Sequence, residues 1–323
     1  MSEGVESPDL KVGDRTEAGG DAVHLSPNQR AWRRFKRNRP AAVGGLLVAA
    51  LLLLVLFWPW IAPYKPDAVS EAQFQPPSLN HWFGTDVHGR DLLTRVFFGA
   101  RISLLVGLVG AGVSLVIGVF WGAVAGYVGG RWDNAMMRFV DVLYSLPSII
   151  FVIVLITTLN GLLGKLQGQG LSADGIRLVQ LLGLFVGLGA VSWLTMARIV
   201  RGQVLSLRTR SFVEASRTLG ATHGQILRKH ILPNVYGVII VYLTLTVPSI
   251  ILYESFLSFL GLGVQPPMAS WGSLLADGAS QLNPIRIYWW LLFFPGAVLV
   301  ATLLALNFFG DGLREAMDPR SDG

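Results

Sequence analysis

The sequence predicts an all-α, polytopic membrane protein with six spanning helices and one structured hairpin on the cytoplasmic side. Three observations predict it. The 323-residue chain is 52% hydrophobic and only 14% charged, with a mean hydropathy of +0.53, too apolar for a soluble domain of this size. Six stretches run about 20 residues or more without a charge: Ala41–Tyr64, Ile102–Gly130, Val142–Gly164, Leu178–Ala197, Ile231–Tyr253 and Ile287–Gly310. Each can cross a hydrocarbon core of ~30 Å as a helix. With the N-terminus inside, residues 1–40, 131–138, 198–230 and 311–323 face the cytoplasm and carry 19 of the 26 Lys and Arg. That asymmetry orients all six spans together. The net charge of +6 is therefore topogenic and does not call for nucleic acid. Absence of cysteine excludes a disulfide framework and a Cys-based metal site, and leaves the redox compartment open.

Residues 1–29 are rich in Gly, Asp, Glu and Ser and are expected to be a disordered cytoplasmic tail. Residues 30–62 join a basic run (Arg30, Arg33, Arg34, Lys36, Arg37, Arg39) to the first span. About 21 apolar residues exceed the core of a cleavable signal peptide, so a retained anchor is expected, with Trp58 and Trp60 at the outer interface. Residues 63–101 read as a polar external loop. Its His81, Asp86, His88 and Asp91 are metal-ligand types, but their spacing matches no ligand pattern, and an ordered loop of capping and pairing Asp and Arg is the better expectation.

A five-helix core follows over 102–310. In its first helix Gly118, Gly122 and Gly126 lie four apart, which lets helix backbones approach closely. Arg131, Asp133 and Arg138 are expected in a short inner turn; Asp141 and Pro147 fall in the next span, where the proline makes either a working kink or a packed bend. Residues 160–177 are expected to be a flexible external loop, and Gly161–Leu166 lacks the glycine spacing and hydroxyl of a phosphate loop. Glu254, near the outer end of the fifth span, is a candidate pathway residue, or simply solvated at the interface. The Pro/Gly-broken stretch from Ser255 to Gly278 must be buried in protein or line a wet cavity. Tyr288-Trp289-Trp290 forms an aromatic belt before the last span, and 311–323 is a cytoplasmic tail.

The inner segment 198–233 holds the hairpin, Ser211–Asn234. Ser211 with Glu214 is a capping-box pattern that starts a helix. Phe212, Ala215 and Leu219 then fall at i, i+3 and i+7 as an apolar stripe that needs a partner surface. That surface is either lipid headgroups or another protein. Gly220 suits a left-handed helix cap, and a second helical run from His223 leads to Pro233. The chain lacks a G-x-S-x-G elbow, an H-E-x-x-H and a Walker-type loop, so no catalytic residues, cofactor-binding residues or metal ligands are assigned. A multispan protein with a capped hairpin and no energy-handling motif is expected to take its energy from a partner.

Glu214-Ala215-Ser216, then Gly220, then His230-Ile231-Leu232-Pro233, resembles the EAA loop of ABC importer permeases, with Ser216 in place of the third Ala. The outer segment HWFGTDVHGRDLLTRVFFGARISL, with His88 where the family more often has Leu, and the segments SFLGLGVQPPMASWG and FFGDGLREAMDPR resemble the C-type permease of dipeptide, oligopeptide and nickel importers. The likeness covers about residues 30–320. It implies a multi-pass subunit of a bacterial or archaeal plasma (inner) membrane, both termini cytoplasmic, paired with a homologous second permease to enclose a path for peptides or related small solutes. It further implies two ATPase subunits carrying ATP-Mg, an extracytoplasmic substrate-binding protein, surrounding lipid, and no cofactor or catalysis in this chain. By the same resemblance Phe212, Glu214, Ala215, Ser216, Arg217, Leu219 and Gly220 form the element that docks on the ATPase. Two other classes compete. An ion-coupled secondary transporter would use Glu254 and Asp141 as a relay, and an intramembrane enzyme or scaffold would need a catalytic pair the sequence does not show.

Overall fold

The structure is a computed structural model that describes residues 27–167, 173–282 and 285–317. Six of its helices are long and apolar enough to span a membrane, and no strand pairs beyond a single Thr85–Asp91 bridge occur among the described residues. A short helix α1 (Pro27–Arg37) precedes the first span α2 (Arg39–Ile61). Asn38 separates them, its side chain accepting from the Ala41 N–H as an N-cap, with Pro40 in the first turn where no donor is lost. The basic run thus forms a helix of its own, and the rest of the expected 1–29 tail lies outside the described residues.

The second span α3 (Leu92–Val128) starts ten residues before the expected edge of the external loop, because Asp91 caps it by accepting from the Thr94 N–H and Oγ1, each at 2.8 Å. Behind it come α4 (Gly130–Ser145) and α5 (Ser148–Gln167). Two expectations are corrected here: 131–138 belongs to a 16-residue helix, not a turn, and Pro147 lies between two helices rather than inside a span. Proline disfavours helix in the residue before it, and Leu146 is accordingly extended at ψ 135°. The fourth span lies in α6 (Ala173–Leu207), which runs ten residues past its expected inner end at Ala197. Helices α5 and α6 also occupy most of the expected 160–177 loop, leaving 168–172 outside the described residues.

After the hairpin, α7 (Ser211–Thr218) and α8 (His223–Ile226), one π-helical turn (Leu227–Ile231) leads into α9 (Leu232–Phe259). The Pro/Gly-broken outer stretch closes with a ten-residue helix α10 (Trp271–Ser280) that periodicity does not reveal, capped by Ser270 and Ser273 in a reciprocal box. The last span α11 (Trp290–Met317) continues seven residues past its expected inner end at Gly310.

Helices α3 and α6 form the central pair, and the glycine spacing explains why. A Cβ on Gly122 would stand 2.4 Å from the Ala197 carbonyl oxygen, one on Gly126 2.8 Å from that of Arg201, and one on Gly118 2.6 Å from Met196 Cβ. Backbone-to-backbone approach of this kind maximises van der Waals contact where lipid supplies no hydrophobic drive. Around this pair, α9 packs through Ile250 and Ile251, fully buried, and α2 packs against α11.

The face that carries the loop before α3 is ordered by ion pairs. Asp86 accepts from the His88 and Arg90 N–H groups at 2.8 and 3.0 Å, and from Arg90 Nε and an Arg95 Nη, each at 2.7 Å. Asp91 also meets His81 Nδ1 at 2.9 Å. Asp and Arg cap and pair as expected, and the carboxylates are spent on these bonds. Trp290 Nε1 donates to the Thr85 carbonyl at 3.2 Å, fastening the loop to the start of α11.

Candidate functional site

The hairpin is built differently from its apparent sequence signature. Helix α7 begins at Ser211 itself, so Arg210 is the N-cap position and no side chain caps it. Ser211 is one residue too far in to receive the N3 amide. The capping box forms in the second helix instead, where the Thr222 N–H donates to Gln225 Oε1 at 2.9 Å and the Gln225 N–H to Thr222 Oγ1 at 3.4 Å. Between them Gly220 takes φ +83°, with its N–H on the Arg217 carbonyl at 2.9 Å and the Ala221 N–H on the Ser216 carbonyl at 3.0 Å. This is the paired Schellman closure expected of a C′ glycine.

Phe212, Ala215 and Leu219 stand exposed along one face of α7 and its cap, and Leu219 is 87% exposed. Val213, which the periodicity does not single out, points the other way and is fully buried. It belongs to a core with Val204 of α6, Ile226 and Ile231 of the hairpin, Val235 of α9 and Ala123 of α3. One apolar residue therefore anchors α7 to three spanning helices while the opposite face is presented outward. The i, i+13 spacing from Val213 to Ile226 becomes a signal only once the hairpin's closure is known.

Polar ties reinforce the anchor. An Arg208 Nη donates to the Gly126 and Tyr127 carbonyls at 3.3 and 3.2 Å, satisfying orphan acceptors at the C-terminal end of α3. Tyr127 Oη lies 2.9 Å from His223 Nδ1, and the Arg217 guanidinium stands 5.9 Å from the Tyr127 ring centre. Arg208, Glu214, Arg217 and His223 border an open cleft of about 740 Å³. Asp133 of α4, buried, takes a bidentate pair from Arg201 of α6 at 2.5 and 2.6 Å. Asp141 meets Arg198 at 2.8 Å. The hairpin is thus continuous with α3, α6 and α9, and the structure brings Phe212, Glu214, Ala215, Ser216, Arg217, Leu219 and Gly220 together on it.

Glu254 lies apart, at the far end of α9. Its residue exposure is zero, and its carboxylate accepts from Ser103, Ser255 and Ser258. It is neither solvated at the interface nor exposed to a cavity in this conformation. Asp141 and Glu254 do not meet, since one pairs with α6 and the other is enclosed by hydroxyls.

Residues 118–323 match the family described as binding-protein-dependent transport system inner membrane component, which takes in the hairpin and four of the six spans. The chain belongs to this family. Residues 26–77 of the permease match a second family, the N-terminal TM domain of oligopeptide transport permease C. It is 49% identical over 296 residues to the oligopeptide transport system permease protein OppC of Escherichia coli, covering 90% of this chain and 91% of that protein. It is 46% identical over 297 residues to the dipeptide transport system permease protein DppC of Bacillus subtilis, covering 92% and 87% respectively. Among solved structures it is similar in fold to a chain from inward-facing conformations of the MetNI methionine ABC transporter, with a TM-score of 0.52 and 20% identity, covering 68% of this chain and 95% of that one. The permease is thus a multi-pass inner-membrane component of a binding-protein-dependent transport system, with a fold similar to that of the MetNI chain, and its family is one of transport components rather than catalysts.

Proposed function

We propose that this permease forms, with a homologous second permease, the translocation path for di- or oligopeptides, and that its hairpin is the element moved by a pair of ATPase subunits. Relatives at nearly half identity over nine-tenths of the chain, both named for peptide transport, support the cargo class. The observation that carries the mechanism is the division of α7 into two faces. Val213 is locked into the inner ends of α3, α6 and α9, whereas Phe212, Ala215 and Leu219 are offered outward beside Glu214 and Arg217. An exposed apolar strip with flanking charges on a rigidly anchored helix suits docking in a groove and transmission of a rigid-body displacement.

ATP-Mg belongs in this reading to the ATPase subunits, and a binding protein presents peptide at the outer face. Both termini of the permease lie in the cytoplasm, with α1 and the hairpin on that side. An ion-coupled transporter finds no support in the geometry, since its two carboxylates are each engaged by other partners, Asp141 by Arg198 and Glu254 by serine hydroxyls. The test is uptake of a labelled dipeptide and of a longer peptide by proteoliposomes holding the co-purified importer. Uptake that requires ATP and survives an uncoupler supports the proposal; uptake dissipated by the uncoupler and indifferent to ATP refutes it.

A further inference from the structure

Glu254 plays no part in the hairpin, yet it is among the largest fully enclosed side chains in the protein. A carboxylate in a spanning helix is costly and is kept only where something is gained from its bonds. Here those bonds run to hydroxyls. Ser258 Oγ donates to Oε1 at 2.6 Å, and Ser103 Oγ, from α3, donates to Oε2 at 3.0 Å. A serine has one proton to give, so each hydroxyl that spends it on Glu254 presents only lone pairs elsewhere. Both serines use a lone pair in the same way. Ser103 Oγ accepts the Trp271 N–H at 3.3 Å, and Ser258 Oγ accepts the Val264 N–H at 3.1 Å. Trp271 opens α10, and Val264 lies in the loop that joins α9 to α10.

The carboxylate therefore dictates the direction of two hydrogen-bond chains that end on the backbone of the outer segment. The fit around it is close. A Cβ on Gly272 would stand 2.2 Å from the Ser255 carbonyl oxygen, so the start of α10 is pressed onto α9 backbone to backbone. Trp271, fully buried, donates its Nε1–H to the Val96 carbonyl of α3 at 3.1 Å. Beyond this joint, α10 and its loop border an external polar cavity of about 310 Å³ that His88 and Arg90 border from the other side.

We infer that Glu254 is a positioning residue, the joint that fastens α10 and the loop before it to the outer end of α9, so that this outer piece travels with the rod whose inner end carries the hairpin. The inference deepens the proposed function and rests on it for its purpose, but the fastening itself is readable without transport. The chain has no cysteine, so Leu252→Cys on the exposed side of α9 and Ser280→Cys at the end of α10 give one spin-label pair in the assembled importer.

With Glu254 intact, the pair should show one narrow distance distribution, unchanged by ATP. Glu254→Gln replaces one acceptor by a donor where the serine hydroxyls on both oxygens already donate, and should broaden the distribution and make it respond to ATP. Peptide uptake should fall by a coupling factor of about 5- to 150-fold, while ATP hydrolysis without binding protein stays at the level of the unsubstituted importer. Ser103→Ala and Ser258→Ala together should reproduce the broadening with the carboxylate still present, and they serve if Glu254→Gln does not assemble. A distribution as narrow in these variants as in the unsubstituted protein would overturn the joint, as would a pair that changes distance with ATP while Glu254 is intact. Failure of the unsubstituted importer to use ATP would instead count against the proposed function, and the label distances would still decide the joint.

Discussion

Substitutions at Gly220 separate backbone strain from steric fit. Its φ of +83° is the left-handed conformation, and a Cβ built there meets no atom within 4 Å. The whole effect of a side chain is therefore conformational. An L-residue other than Gly or Asn pays about 1–2 kcal/mol for this conformation, which is about 5- to 30-fold in a local equilibrium. A β-branched residue pays more. Gly220→Asn should therefore be nearly silent, Gly220→Ala should weaken the closure by that factor, and Gly220→Val by more. The assay is hydrogen exchange of the α7 and α8 amides in membrane-embedded protein, where protection scales with the local opening equilibrium. ATP-driven uptake should decline in the same order, Asn, Ala, Val. Asn as damaging as Val, or Val with undiminished protection, would refute the reasoning, because the first implicates bulk and the second removes the strain.

Thr222→Ala should cost about 1 kcal/mol of protection in α8 by removing a cap, while Ser211→Ala leaves α7 unchanged because no cap is present there. Val213→Ala should lower the melting temperature through a loss of about 2 kcal/mol of packing, whereas Phe212→Ala should spare the melting temperature and weaken retention of the ATPase subunits in pull-down. Gly122→Ala should cost about 1–3 kcal/mol and reduce the folded yield from detergent extraction, since its Cβ would strike the Ala197 carbonyl rather than a movable side chain. Arg201→Ala should leave the buried Asp133 carboxylate short of two donors at a cost of about 1–3 kcal/mol, and Asp133→Asn in the same background should restore part of the thermal stability.

Features governed by local chemistry are legible in the chain. Charge-free runs of spanning length, the left-handed glycine at 220 and the small-residue ladder Gly118-Gly122-Gly126 each follow from one residue type at one spacing, and each stands where the spacing puts it. Boundaries are less legible because competing local signals are equally good. Ser211-x-x-Glu214 and Thr222-x-x-Gln225 are both capping-box patterns, and only the second has its first residue at the N-cap position and forms the box. Pro147 suggests a bend within one span, yet the amphipathic segment before it is a separate helix set against α6 by Asp133 and Asp141. Non-local features leave no trace in periodicity. Val213 acquires its importance from Ile226 and Val235, Glu254 from a serine 151 positions away, and α10 from the tryptophan that seats it on α3.

The proposed role of the hairpin as the mechanical input can be read most directly by contact. Leu219→Cys places a single thiol at the most exposed large apolar side chain of the hairpin, in a chain with no other cysteine. A short thiol-to-amine crosslinker applied to the assembled importer should join this position to an ATPase subunit, and ATP should change the yield. A thiol that stays free of every ATPase subunit, or that reacts with an impermeant reagent from the outer side of the membrane, would contradict the assignment.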